Sequence, residues 1–272
     1  MKIIVLMEDT SENKDYLCEH GLSVYVETAD RKIIFDTGAS GKFAVNAEKK
    51  GIDPAKADTV VISHGHYDHT GGLQCLIGIN GHAPIYIQRK ATGEFYSLKD
   101  EVPRYIGMDK DKSITDRLEF LDGNKDLGDG MFIFTGVKGR RLRQRGNDLL
   151  KIRLGEEYVQ DNFEHEQYLF ISEGKKRVLI SGCAHNGIVN ILDEYRKLRG
   201  EQPTHVISGF HTIRKCYSGE DDLLLRLTAE ELKKTNAVYY TGHCTGEYAI
   251  NMMRKIMGPR LQTFHSGDEI LI

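Results

Sequence analysis

The chemistry available to this 272-residue chain concentrates in one hexapeptide, His64-Gly65-His66-Tyr67-Asp68-His69. Three imidazoles and a carboxylate offer nitrogen and oxygen lone pairs to a divalent cation. They follow an apolar run, Thr59-Val60-Val61-Ile62-Ser63, that reads as a strand buried on both faces. On an extended chain side chains two apart share a face, so His64 and His66 can reach one cation. Thr70-Gly71-Gly72 then forces a turn that starts a helix, which lets Asp68 and His69 swing toward a second cation nearby. Imidazole suits zinc first, with manganese or iron as alternatives, and the carboxylate moves one position toward harder ions. Three His and one Asp at these offsets arise by chance about once in a thousand such chains, which sets the metal reading above a loop of surface histidines.

HxHxDH behind a buried strand is the signature of the metallo-β-lactamase superfamily, and this sequence resembles that family along nearly its whole length. Ile33-Ile34-Phe35-Asp36-Thr37-Gly38 resembles its upstream strand-Asp-Thr-Gly element. Ser181-Gly182-Cys183-Ala184-His185 resembles the element that normally supplies a bridging Asp, and Tyr240-Thr241-Gly242-His243 the last strand-end histidine. More narrowly, Glu19-His20-Gly21-Leu22-Ser23, Gly182 through Ile188, Gly209-Phe210-His211 and Thr241 through Gly246 resemble the dihydropterin/ribofuranosyl-aminobenzene-phosphate synthase-like branch.

The resemblance implies an α/β fold, an αββα four-layer sandwich of two mixed β-sheets flanked by helices, formed by residues 1–272 as a single domain. It also implies one or two divalent metal ions, with Asp36 orienting the metal histidines and His243 among the ligands. The sequence departs from the family pattern twice. No histidine lies between His82 and His165, and His165, within Phe163-Glu164-His165-Glu166-Gln167, reads as a surface residue. That leaves His185 as the better candidate for the remaining ligand. Cys183 stands where the bridging Asp is expected, either as a thiolate ligand or as a small buried residue. One metal is then expected on His64, His66 and His185, the other on Asp68, His69 and His243.

Strand ends converge on the metals in related folds, so His211 is expected in the pocket as a general acid or hydrogen-bond donor. His20 is expected in the pocket wall, and Tyr67 either reaches the substrate or, the preferred placement, packs beneath the metal loop. Arg141 belongs to the strongest basic cluster, 138–145, which is either a solvated loop or a reader of substrate phosphate or carboxylate. Asn186 opens a helix whose backbone N–H groups could hold an anion. These readings point to a hydrolase that uses a metal-activated water on a small anionic or phosphorylated ester, lactone or phosphoester, with Asp68 also able to accept a proton. The alternatives are a pterin-related synthase or transferase on the same metals, and a non-catalytic metal-binding sensor.

The elements that must position these groups are legible in outline. Strands are expected at 2–7, 22–27 and 32–35, with a turn at Ala29-Asp30-Arg31 and a helix over 42–50 closed by Gly51. The second half alternates strand and helix: 176–181, 188–198, 205–208, 221–234, 237–241 and 247–257. Two charged stretches, near 90–130 and 137–166, read as solvated loops or as a lid or specificity insertion; the first holds Lys99-Asp100-Glu101. A net charge of −3 gives no case for nucleic acid or membranes as partners, and no apolar run reaches eighteen residues. Five widely spaced cysteines without a CxxC pair read as reduced thiols in a cytoplasmic protein whose partner is a small molecule.

Overall fold

The computed structural model describes residues 1–99 and 102–272; Asp100 and Glu101 of the charged stretch lie outside the described residues. In chain order the first half contains β1 (Lys2–Met7), β2 (Ser23–Glu27), β3 (Lys32–Phe35), α1 (Lys42–Lys49), β4 (Thr59–Val61), the short α2 (Tyr67–Thr70), α3 (Leu73–Ile79) and β5 (Ile85–Gln88). Next come β6 (Phe95–Lys99), β7 (Val102–Tyr105), the short α4 (Lys112–Thr115), β8 (Leu118–Leu121), β9 (Lys125–Gly128), β10 (Met131–Thr135), β11 (Leu150–Leu154) and β12 (Glu157–Gln160). The remainder is β13 (Gln167–Glu173), β14 (Lys176–Ile180), α5 (Ile188–Arg199), β15 (His205–Ile207), α6 (Gly219–Lys233), β16 (Val238–Thr241), α7 (Glu247–Met257), β17 (Leu261–Thr263) and β18 (Glu269–Leu271).

Strand β1 explains the layering. It is apolar at successive positions because both of its faces are covered. Ile3 and Val5 point at a second sheet, while Ile4 and Leu6 point at α1 and α3. The first sheet runs β18-β1-β2-β3-β4-β5-β8 and the second β17-β16-β15-β14-β13-β10-β9. Between them lies a core that includes Phe35, Val61, Leu169, Val178, Ile180 and Ile207. Helices α5, α6 and α7 cover the outer face of the second sheet through Ile191, Tyr195, Leu225, Ala229 and Met253. The architecture is the expected four-layer αββα sandwich of two mixed sheets. Each fully buried Ile, Leu or Phe contributes about 1.5–3 kcal/mol, so this double-faced burial fixes which edge of each sheet meets the other.

The charged stretches are in large part ordered sheet, as an insertion, with irregular chain left at 136–144 and 161–166. Strands β6, β7, β11 and β12 form a third sheet in the order β12-β11-β6-β7, and β8 adds an edge strand to the first sheet. Sequence reading missed these strands because their alternation mixes charge with apolar residues, as in Leu150-Lys151-Ile152-Arg153-Leu154. A sheet with one solvated face needs only every second residue apolar.

Strands β3, β4, β5 and β8 run parallel, as do β14, β15, β16 and β17. In open α/β sheets the carboxyl ends of parallel strands border the ligand crevice. Here Asp36 follows β3, His64 lies just beyond β4, Cys183 beyond β14, His211 beyond β15 and His243 beyond β16. Among the described residues no helix is long and apolar enough to cross a membrane.

Candidate metal centre

The strand ends bring two groups of donors together. In one, His64 Nε2 lies 3.1 Å from His66 Nδ1, and the His185 ring centroid lies 4.9 Å from each of their rings. In the other, Asp68 Oδ2 lies 3.5 Å from His69 Nε2 and 3.3 Å from His243 Nε2. Cys183 belongs to both. Its Sγ lies 3.2 Å from His69 Nε2 and 3.4 Å from His243 Nε2, and its sulfur groups equally with His64 and His185.

The outer nitrogens are held from behind. His69 Nδ1 lies 2.7 Å from Asp36 Oδ2, and the Ser63 hydroxyl donates to the same oxygen while facing His64 Nδ1 at 2.8 Å. His185 Nδ1–H donates to Asn147 Oδ1 at 2.9 Å, and His243 Nδ1 lies 2.6 Å from Asp9 Oδ1. A ring whose Nδ1 is engaged in this way keeps its Nε2 facing inward and cannot rotate, which is how outer-shell partners orient metal-binding histidines. Packing at the seam is tight enough to require glycine. A Cβ on Gly182 would stand 2.3 Å from Ser63 Oγ. Asp36, Ala184, His211 and His243 hold left-handed backbone, with φ between +49° and +59°. Each costs about 1 kcal/mol or more, tolerated only where surrounding contacts fix the turn.

The electrostatics separate the two groups. Burial, and then crowding by neighbouring imidazoles, lowers the pKa of His64, His66 and His185, that of His66 to about 3. These rings are neutral and carry free lone pairs, the state a metal ligand requires. Burial opposes charge on His69, yet the Asp36 and Asp68 carboxylates carry its pKa to about 9. Burial likewise opposes charge on His243, where Cys244, Asp68 and Asp9 raise the pKa. The protons so implied on Nε2 point toward Asp68 and Cys183, the place a divalent cation would take. The Nε2 of His185 is buried with no hydrogen-bond partner, as is that of His66. A buried polar atom left so costs about 1–3 kcal/mol. The donor set of imidazole, thiol and carboxylate fits zinc.

Residues 17–243 match the family model described as the metallo-beta-lactamase superfamily. The chain belongs to this superfamily. It is 29% identical over a 290-residue alignment, covering 99% of this chain and 96% of the relative, to the 7,8-dihydropterin-6-methyl-4-(beta-D-ribofuranosyl)-aminobenzene-5'-phosphate synthase of Methanocaldococcus jannaschii. Among solved structures it is similar to Tm1679, described as a metal-dependent hydrolase of the beta-lactamase superfamily. The TM-score is 0.84 at 30% identity, over 100% of this chain and 99% of the other. The metallo-beta-lactamase fold protein YhfI from Bacillus subtilis shares the fold at a TM-score of 0.57 and 13% identity, over 99% of this chain and 98% of that one.

On this metallo-β-lactamase frame a pocket of about 510 Å³ opens over the donors. His20 stands in its wall, with Nδ1 2.7 Å from Asp9 Oδ2 and Nε2 3.6 Å from Asp68 Oδ2. His211 lines it beside His185, with ring centroids 4.2 Å apart and its Nδ1 buried without a partner. Tyr67 lines the pocket too, the less favoured of its two expected placements. The third sheet supplies the roof through Ser97, Lys99, Val102 and Arg104.

Three expectations are corrected. Arg141 lies outside the pocket, because Asp193 and Glu231 each take its guanidinium at 3.2 Å. Asn186 does not face substrate; its side-chain amide is buried and donates to Phe163 O, Glu166 Oε2 and Tyr168 Oη. Just ahead of that helix, the Glu166 carboxylate accepts the backbone N–H of His185 at 2.7 Å and of Asn186 at 3.0 Å. His165 is buried, not superficial. Its Nδ1 accepts the Gly65 N–H, its Nε2 lies 3.1 Å from Asp161 Oδ2, and its ring lies 4.0 Å from that of Phe95. Sequence reading also missed Asp9, Ser63, Asn147 and Glu166. Asp9 carried a usable signal, since β1 runs in the same direction as β3 and ends at the same sheet edge. Asn147 and Glu166 sit in stretches read as loops and carried none.

Proposed function

We propose that this protein is a metal-dependent hydrolase that cleaves an ester, lactone or phosphoester bond in a small molecule. The observation that carries the reading is the meeting of two inward-facing donor groups at Cys183, on the floor of the pocket. His64, His66 and His185 would hold one divalent cation, and Asp68, His69 and His243 the other, with Cys183 between them. Such cations make water acidic near neutral pH and polarise a carbonyl or phosphoryl oxygen. The protein's own part is positioning and proton traffic. Asp36, Ser63, Asn147 and Asp9 fix the imidazoles, so that little reorganisation remains when substrate arrives. Asp68, the carboxylate lining the pocket, accepts a proton from the attacking water. His211, whose side chain lines the pocket, donates one to the leaving group.

The test is metal analysis of protein purified without chelator, followed by turnover of a panel of phosphodiesters, lactones and aryl esters with added zinc or manganese. His66→Ala is expected to lose metal and to lose activity by orders of magnitude. Equal turnover by variant and parent would refute the proposal. A second reading, a pterin-related synthase, is favoured by the relative of that name aligned over 99% of the chain. Incubation with a phosphoribosyl donor and an aromatic amine separates the two, since transfer yields a joined product and hydrolysis only water-derived ones.

A further inference from the structure

The roof of the pocket repeats one chemistry along one face. Strands β6 and β7 pair antiparallel, with Ser97 opposite Arg104 and Lys99 opposite Val102. Side chains two apart on a strand share a face, and directly paired residues share it too. These four residues therefore form one patch, and all four line the pocket. The opposite face carries Tyr96 and Tyr105, whose rings pack at 5.4 Å. The patch holds two cations, Lys99 and Arg104, on diagonal positions. Neither is in an ion pair with a described residue, whereas Arg89, Arg141 and Arg153 are each paired with a carboxylate.

The roof is also tied to the floor. Ile106, two residues beyond Arg104, donates its N–H to Phe95 O at 2.8 Å and accepts the Tyr67 N–H at 2.9 Å. His66 forms an isolated bridge with Gly107. The cationic patch is thus held in register with the metal-binding hexapeptide through backbone bonds. Arg141, by contrast, is neutralised by the protein's own carboxylates, Asp193 and Glu231.

We infer that Lys99 and Arg104 form a distal anion subsite that selects substrates carrying a carboxylate or phosphate away from the bond cleaved. The subsite rests on the hydrolase reading and adds the substrate class to it. An Arg fork and a Lys point charge together bind either oxyanion. Because the patch is open to solvent on one side, its contribution is screened by salt.

The test compares parent, Lys99→Met, Arg104→Met and the double variant, metal-loaded, on neutral 4-nitrophenyl butyrate and on the glutarate mono-4-nitrophenyl ester with its free carboxylate. The parent is expected to prefer the charged ester. Each single variant should lower kcat/KM for it by about 3–10-fold, mainly through KM, and the double variant by about 10–100-fold. Turnover of the neutral ester should stay within about twofold, and about 0.5 M salt should erode the preference in the parent only. Equal losses on both esters, or a parent without preference, would overturn the subsite. Should the parent cleave neither ester, the hydrolase reading is judged on the wider panel of phosphodiesters and lactones, apart from the subsite. Calorimetric titration of benzyl phosphate and of glutarate monoanilide then decides the subsite. Weaker binding of both to the double variant supports it, weaker binding of one alone names which oxyanion it reads, and equal binding of both to parent and variant overturns it.

Discussion

Glu166→Gln is the sharpest probe of how the second half of the site is assembled. The Glu166 carboxylate is fully buried, and four donors converge on it. The His185 N–H reaches Oε1 at 2.7 Å, and Oε2 accepts the Asn186 N–H at 3.0 Å, the Asn186 side-chain amide at 3.0 Å and the Tyr168 hydroxyl at 2.6 Å. An amide has one acceptor oxygen, so its NH2 group must face one set of these donors. Turned the least costly way, it opposes the His185 N–H and leaves two buried donors unmatched, at about 1–3 kcal/mol each. Burial itself disfavours the charge and raises the Glu166 pKa, so removing the charge returns part of that cost. The net loss is about 2–3 kcal/mol, or roughly 5 °C in Tm for a protein of this size. The same exchange frees the backbone of His185, and cation affinity should fall by about 10–100-fold. Denaturant unfolding and metal titration read the two effects. The pH sign follows from the raised pKa. The folded state holds this proton more tightly, so Glu166 lowers stability as pH rises from its ordinary value of 4.5 through its folded value. That component of the slope should vanish in the variant. A variant with parental stability, parental metal affinity and an unchanged slope would refute this account of the His185 turn.

Three further outcomes are expected. Arg141→Ala should leave turnover within about twofold of the parent and change stability by less than about 1 kcal/mol, because its two ion pairs are solvent-exposed; steady-state kinetics and thermal melts check it. Gly182→Ala would place a methyl 2.3 Å from Ser63 Oγ and displace the hydroxyl that links Asp36 to His64. Stability should drop by about 2–4 kcal/mol and metal content after dialysis should fall. Cys183→Ser should weaken retention of cations by both donor groups, measured as metal per chain after dialysis, whereas loss from one group alone would show that the sulfur serves only that side.

The legible part of this molecule is the part where one physical demand dominates. Doubly buried strands such as β1 and β4 read as unbroken apolar runs, and the hexapeptide announces itself because its donors are adjacent in sequence. Amphipathic helices with clear ends were read to within a few residues; α6 begins at Gly219, two residues ahead of expectation, because the Ser218–Asp221 capping box sets its start. The third sheet was not legible, since its strands have one wet face and borrow their partners from distant sequence. The same distance hid the outer shell. His185 meets Asn147 38 residues away, and His243 meets Asp9 234 residues away. His165 reads as superficial because the neighbours that bury it, Phe95 and Asp161, lie in the two charged stretches, whose strands the sequence does not announce. Arg141 misled for the opposite reason: its charge was visible in the sequence, but not the carboxylates of α5 and α6 that neutralise it.

The donor groups straddle the join between the two halves of the chain. Residues 64–69 hang from the first sheet, and Cys183, His185 and His243 from the second. Any cation gripped by both would work as a rivet through the sandwich, and its binding energy would count toward keeping the sheets face to face. Chelation should then loosen the interface as well as silence the pocket, and neither half alone could retain the ion.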